Sequence, residues 1–123
     1  MNKSNLILVR HGQSEWNKQD KFTGWVDIPL SSHGINEAKE AGIKISNLGI
    51  KFNYSFSSVL ERSIQTYREI NKICLIDAKL ETDWRLNERH YGGLQGLNKQ
   101  EMRSKHGDEQ VLIWRRSYDT KPP

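Results

Sequence analysis

The apolar residues are spaced unevenly along the chain, and the spacing separates its elements. Leu6-Ile7-Leu8-Val9 is an unbroken apolar run of strand length, which predicts a fully buried strand. It stops at Arg10-His11-Gly12, and polar residues follow at once. From 16 to 29 no period is sustained, and Gly24 and Pro29 punctuate a predicted loop. Ile35, Ala38, Ala41 or Gly42, Ile45 and Leu48 then recur every three or four residues. That stripe predicts a helix over about 32–48, capped by Ser31 or Ser32 and closed by Gly49.

Phe52, Tyr54 and Phe56 alternate with polar residues, so 54–58 reads as a short strand. Ser57-Ser58 can cap a second helix over about 59–73, with Leu60, Ile64, Tyr67 and Ile70 as its buried stripe. Strand, helix, strand, helix is a βαβ order, which implies a parallel sheet and an α/β fold. A third short strand is expected over 79–83. The long stretch from Trp84 to Gly96 has no period but is dense in functional side chains, which favours an ordered, functional loop. Asn98 with Glu101 three residues later marks a helix start, Gly107 its end, and 108–116 a last helical segment carrying Val111, Leu112 and Trp114.

Composition narrows the class. At 123 residues the chain has the length of one ordinary domain, and four tryptophans argue against disorder. No apolar run approaches a membrane span, and Met1-Asn2-Lys3-Ser4 leads into the first strand with no signal-peptide pattern. The single Cys74 cannot form an internal disulfide and is expected to be a small apolar filler, so a reducing cytoplasm is the simplest compartment. Nineteen Lys and Arg stand against 15 Asp and Glu, giving a net charge of +4, which favours anionic partners. The basic residues are dispersed rather than bunched into an arm or tail. A small phosphorylated ligand fits that distribution better than nucleic acid.

His11 is the sharpest candidate for chemistry. It follows a predicted buried strand, where ligands bind in open α/β sheets. Gly12 lets backbone approach an anion closely, and Ser14 and Asn17 can donate to phosphate oxygens. An imidazole among cations can attack phosphorus, because the flanking charges stabilise the developing oxyanions. The bland alternative is a histidine held by a hydrogen bond. A metal site is the main rival, but His11, His33, His90 and His106 have no ligand spacing, there is no cysteine pair and no HExxH. GxxxxGK[ST] is also absent. Arg62 is expected one turn past the second strand, on the same sheet edge as His11, where an anion would explain it better than solvent. Glu88 can exchange a proton with a hydroxyl if it lies near the imidazole. Arg89, Lys99, Arg115 and Arg116 matter only if they converge.

LVRHGQSEWN, residues 8–17, resembles the signature of the histidine phosphatase superfamily. FTGW (22–25), LSSHG (30–34), SSVLERSIQT (57–66), WRLNERHYGGLQGLNK (84–99) and IWRRSYDTKPP (113–123) are similar to the 2,3-bisphosphoglycerate-dependent phosphoglycerate mutases. The RHG tripeptide alone supports only the superfamily; the WRLNERHYGG block is far more specific. The resemblance implies a three-layer α/β fold with a mostly parallel sheet of phosphoglycerate mutase-like type. It implies that His11 carries the phosphoryl group and that Arg10 and Arg62 hold it in the transition state. Ser14, Asn17, Thr23 and Gly24 would line the pocket. Glu88 would be the proton donor and acceptor, and Arg89, Tyr91, Lys99, Arg115 and Arg116 would bind the substrate's carboxylate and its second phosphate. The implied reaction interconverts 3-phosphoglycerate and 2-phosphoglycerate, in glycolysis and gluconeogenesis, with 2,3-bisphosphoglycerate as phosphoryl donor and no metal.

The family's members are much longer. Their second half carries another His-Gly motif, whose histidine faces the phosphohistidine, and strands that complete the middle of the sheet. Neither His90 nor His106 stands in that motif. Gln13 stands where Glu is common, and 67–83 matches loosely. The chain is therefore expected to be one mutase-like domain, 1–123, incomplete on its C-terminal side. It is expected to be marginally stable, or to form a homo-oligomer or aggregate over an uncovered strand edge, and to be a poor mutase. Two alternatives remain: a phosphohistidine-type phosphatase of small esters, and a non-enzymatic remnant serving as a structural or partner-binding fragment. A nucleic-acid or membrane partner is not expected.

Overall fold

The computed structural model describes residues 3–123, so Met1 and Asn2 of the expected leaderless N-terminus lie outside the described residues. The elements are a short helix α1 (Glu15–Lys18), helix α2 (Ser32–Ser46), strand β1 (Ser55–Ser57), helix α3 (Glu61–Cys74), strand β2 (Leu80–Thr82), and helices α4 (Lys99–His106) and α5 (Asp108–Arg116). Single 3-10 turns at Trp84–Leu86 and Gly92–Leu94 break up the long loop between β2 and α4.

β1 and β2 pair in parallel, with Ser55 opposite Leu80 and Ser57 opposite Thr82. The βαβ unit therefore runs through α3. The expected first strand is a correction. Residues 6–9 form no strand and join no ladder among the described residues, and Leu6 and Leu8 are 79% and 84% exposed. Their apolar run has the composition of a buried strand, but no described segment lies beside it to bury it. The aromatic alternation around β1 is corrected in the same sense. Tyr54 and Phe56 stack on each other at 6.4 Å and are exposed, while Ser55 is the buried position.

The helices follow their sequence signals more closely. Ser31 caps α2, its Oγ accepting from the Gly34 N–H at 3.1 Å. The helix stops at Ser46, and Gly49 takes a positive φ of 65° in the turn beyond. Its buried face is narrow and small: Gly34, Ala38 and Gly42. Those residues let α3 come close, and a Cβ on Gly42 would meet Ile70 Cα at 3.1 Å. The buried line of α3 is Arg62, Thr66 and Ile70, whereas Ile64 and Tyr67 are half-buried. The Cys74 thiol donates to the Gly42 carbonyl across this contact at 3.3 Å, and burial pushes its pKa up. Cys74 is half-buried rather than fully enclosed.

A second cluster holds the C-terminal helices. Phe22, Leu94 and Val111 are fully enclosed, with Tyr91, Met102 and Trp114 packed around them. Enclosing side chains of this size stabilises by about 1.5–3 kcal/mol each, which ties the long loop to α5. Asn98 Oδ1 accepts from the Glu101 N–H, as the sequence pattern predicts, and Gly107 separates α4 from α5 at φ 87°. No helix of the described residues is long and apolar enough to cross a membrane.

Candidate active site

The turn after the apolar N-terminal stretch is fixed by close backbone approach. A Cβ on Gly12 would overlap the Gly34 carbonyl, and one on Gly34 would overlap the Gln13 carbonyl. Only two glycines allow the turn to cross the start of α2 at this distance. The Gly12 N–H donates to Thr66 Oγ1 at 3.1 Å, and that hydroxyl donates in turn to the Arg62 carbonyl at 2.8 Å. α3 thereby sets the position of the residue beside Gly12, which is His11.

The His11 ring is oriented by its own main chain. Nδ1 lies 2.7 Å from the Gly12 carbonyl, which can only accept, so Nδ1 carries a ring proton. Nε2 faces Glu88 Oε2 at 3.1 Å. Arg62 reaches the same oxygen from Nε at 3.1 Å and from a terminal nitrogen at 2.9 Å. The Arg62 side chain is 0% exposed and also donates to the carbonyls of Val26 and Gly24, at 2.9 and 2.5 Å. A buried guanidinium is tolerated only when satisfied in this way. Burial raises the Glu88 pKa, but the hydrogen bond with His11 and the charge and hydrogen bonds of Arg62 outweigh it and hold the carboxyl below its usual value. The resting arrangement is a carboxylate bridging an imidazole and a guanidinium.

A cavity of about 470 Å³ opens beside this trio, lined by Arg10, His11, Asn17, Thr23, Glu88, Tyr91, Lys99, Arg115 and Arg116. That volume is ordinary for a small-molecule site. Four of the lining side chains are cations, and none of the four has a carboxylate partner among the described residues. Burial and the charge of Arg115 lower the Lys99 pKa, which Asp20 and Glu88 only partly oppose. Cations crowded without counter-ions are the signature of an anion site. Thr23, whose Oγ1 is buried without a hydrogen-bond partner among the described residues, also lines this cavity. A second cavity of about 430 Å³ shares Arg10, His11, Asn17 and Lys99 and extends to His33, Glu37, Ala38 and Ala41 of α2.

Not every residue expected at the site reaches it. Ser14 is fully buried and caps α1, with its Oγ accepting from the Asn17 N–H while Asn17 Oδ1 accepts from the Ser14 N–H. Gly24 contributes a carbonyl to Arg62 and holds a positive φ of 59°, but neither it nor Ser14 lines the cavity. The Arg89 guanidinium points away and donates to the Ser117 and Thr120 carbonyls at 2.6 and 2.9 Å. The sequence reading missed the residues that hold the site in place. Trp25 Nε1 donates to the Glu88 carbonyl at 2.7 Å. Gln95 Oε1 accepts from the Trp25 N–H at 2.9 Å and the Tyr91 N–H at 3.4 Å. Thr66, Trp25 and Gln95 act on main-chain groups, and such contacts leave no periodic mark in a sequence.

Residues 6–123 match the histidine phosphatase superfamily (branch 1). The chain is 55% identical to a 2,3-bisphosphoglycerate-dependent phosphoglycerate mutase 2 of Lactiplantibacillus plantarum, over 96% of this chain and 52% of that protein. It therefore spans about half the length of the curated relative it matches. Among solved structures, a mycobacterial glucosyl-3-phosphoglycerate phosphatase complexed with VO3 superposes with a TM-score of 0.77 at 26% identity, covering 91% of this chain and 51% of that one. A phosphoserine phosphatase of Entamoeba histolytica with 3-phosphoglyceric acid gives 0.68 at 25% identity, covering 90% and 55%. The fold is thus the expected phosphoglycerate mutase-like α/β type, matching about half of each neighbour.

Proposed function

The chain belongs to the histidine phosphatase superfamily, and on that premise we propose that it carries the phosphohistidine half-site of a 2,3-bisphosphoglycerate-dependent phosphoglycerate mutase. The observation that carries this reading is the contact of His11 Nε2 with Glu88, itself held by buried Arg62, at the mouth of a cavity with four cations that have no carboxylate partner among the described residues.

In this reading the anionic groups of 2,3-bisphosphoglycerate settle against Arg10, Lys99, Arg115 and Arg116, with Thr23, Asn17 and Tyr91 supplying polar contacts. His11 Nε2 releases its proton to Glu88 and attacks phosphorus. The phosphorus–oxygen bond to the glycerate breaks, and the leaving oxygen takes the proton from Glu88. The reverse step starts from the other hydroxyl. Glu88 accepts its proton as the oxygen attacks, and the phosphorus–nitrogen pair returns to Nε2. Arg10 and Arg62 stabilise the charge on the transferring phosphoryl oxygens. The net result interchanges 3-phosphoglycerate and 2-phosphoglycerate, a step of glycolysis and gluconeogenesis. No step calls for a metal, and the expected setting is the cytoplasm.

Incubation with 2,3-bisphosphoglycerate labelled in its phosphates tests the reading. Acid-labile, alkali-stable label that His11→Ala abolishes, and that chases into added 3-phosphoglycerate, supports it. No label on the wild-type chain contradicts it. The solved phosphatases among the neighbours favour a second reading, in which water is the acceptor. Release of label as inorganic phosphate, with none in phosphoglycerate, would select that one.

A further inference from the structure

The loop from Glu88 to Leu94 has two faces. Glu88 and Tyr91 look into the cavity, while Arg89, Gly92 and Gly93 meet residues 117–123 on the other side. Arg89 forks across two main-chain carbonyls, Ser117 at 2.6 Å and Thr120 at 2.9 Å. The Gly93 N–H donates to the Pro123 carbonyl, and a Cβ on Gly92, whose φ is +55°, would overlap that same oxygen. Within the tail, the Thr120 N–H donates to Ser117 Oγ at 3.2 Å, and that hydroxyl donates to Asp119 at 2.8 Å. Ser117 is also the C-cap of α5, and the two residues before it are Arg115 and Arg116 of the cavity wall.

We propose that Arg89 is a positioning residue: by clamping the Ser117 and Thr120 carbonyls to the loop that carries Glu88, it holds the last turn of α5 so that Arg115 and Arg116 face the anion cavity. The inference rests on the phosphoryl-transfer reading above, and it assigns Arg89 to the back of the wall instead of to the ligand. The physical need is clear. α5 is nine residues long, and the carbonyls of a helix's last turn lack intrahelical N–H donors. Two adjacent arginines repel each other there and have no carboxylate among the described residues to restrain them. A guanidinium on the terminal carbonyl supplies both a hydrogen bond and a favourable charge at the negative end of the helix dipole. The planar fork matters, because a lysine ammonium cannot span two carbonyls in one plane.

The test measures 2,3-bisphosphoglycerate affinity by titration calorimetry, together with hydrogen exchange over 113–121 and tryptic cleavage after Arg116. It uses the whole chain and the variants Arg89→Ala, Arg89→Lys and Gly92→Ala. Gly92→Ala disturbs the clamp from the other side without removing a charge. The expected result is faster exchange and faster cleavage in Arg89→Ala and Gly92→Ala, with affinity weakened about tenfold in both and little rescue by lysine. Weakened affinity with unchanged exchange, or full rescue by lysine, would overturn the proposal and return Arg89 to direct ligand contact. Faster exchange with unchanged affinity would overturn it as well. If the wild-type chain binds no bisphosphoglycerate, the phosphoryl-transfer reading fails. Exchange and proteolysis then decide the clamp by themselves: unchanged rates in Arg89→Ala overturn it, and raised rates in both variants support it.

Discussion

Arg62→Met is the perturbation that most directly probes how the site is built. Methionine keeps an unbranched stem of similar reach but donates no hydrogen bond. In the wild type the guanidinium satisfies the carbonyls of Gly24 and Val26 and grips Glu88, all from a fully enclosed position. Each carbonyl left unsatisfied costs about 1–3 kcal/mol. Glu88 is about one-third exposed, so water takes over much of its lost pairing and that contribution is small. The total is then roughly 2–6 kcal/mol, a large share of the ~5–15 kcal/mol that stabilises a typical domain. With a urea slope of ~2 kcal/mol per M, the midpoint followed by tryptophan fluorescence should fall by about 1–3 M. If the wild type is itself marginal, the cooperative transition should vanish. Arg68→Met is the control on the same helix. Arg68 is exposed and meets Glu61 at 3.3 Å, so its loss should cost no more than about 0.5 kcal/mol. Equal, small shifts for the two variants would refute the view that Arg62 is a structural keystone as well as a site residue.

Three other outcomes follow from the same geometry. Gly12→Ala would drive a methyl into the Gly34 carbonyl; it should destabilise by about 1–3 kcal/mol and abolish phosphoryl uptake, both measurable on one purified sample. The Glu88 carboxyl has a folded pKa below the 4.5 of an unperturbed glutamate. Its contribution to stability is therefore present above that pH and lost as pH falls through the folded value. Glu88→Gln should flatten the acid limb of stability measured by urea unfolding, and an unchanged limb would contradict the pairing with His11 and Arg62. Leu6 and Leu8 are exposed on a segment that pairs with no strand among the described residues. Replacing both with lysine should reduce light scattering and concentration-dependent association without lowering the melting temperature, because charges blunt exposed strand edges; a fall in melting temperature would show that they are buried in solution.

Where sequence signals were local, they were sufficient. Asn98 and Glu101 open α4, Gly107 divides it from α5, and Ser31 caps α2, because each acts on a neighbour a few residues away. Where burial depends on distant segments, the pattern misled. The run Leu6–Val9 has the residues of a central strand, yet its burial requires partners on either side, and the described chain brings none. Tyr54 and Phe56 alternate as a buried face would, but the covered side of β1 is the serine side. Arg62 was legible as a candidate site residue from its place after Ser57-Ser58. Its complete enclosure by Val26, Gly24 and Glu88 was not, since that depends on how the loop before α2 folds over α3. The role of Arg89 was likewise hidden, because carbonyl partners at Ser117 and Thr120 carry no side-chain signature.

The central claim is that His11 receives a phosphoryl group on Nε2 while Nδ1 stays bonded to the Gly12 carbonyl. Phosphorus NMR of the nitrogen-15 histidine-labelled chain after reaction with 2,3-bisphosphoglycerate tests it most directly. The account predicts one phosphohistidine, coupled to Nε2 and absent in His11→Ala. Phosphorus on Nδ1, on His33, His90 or His106, or on no histidine would contradict it.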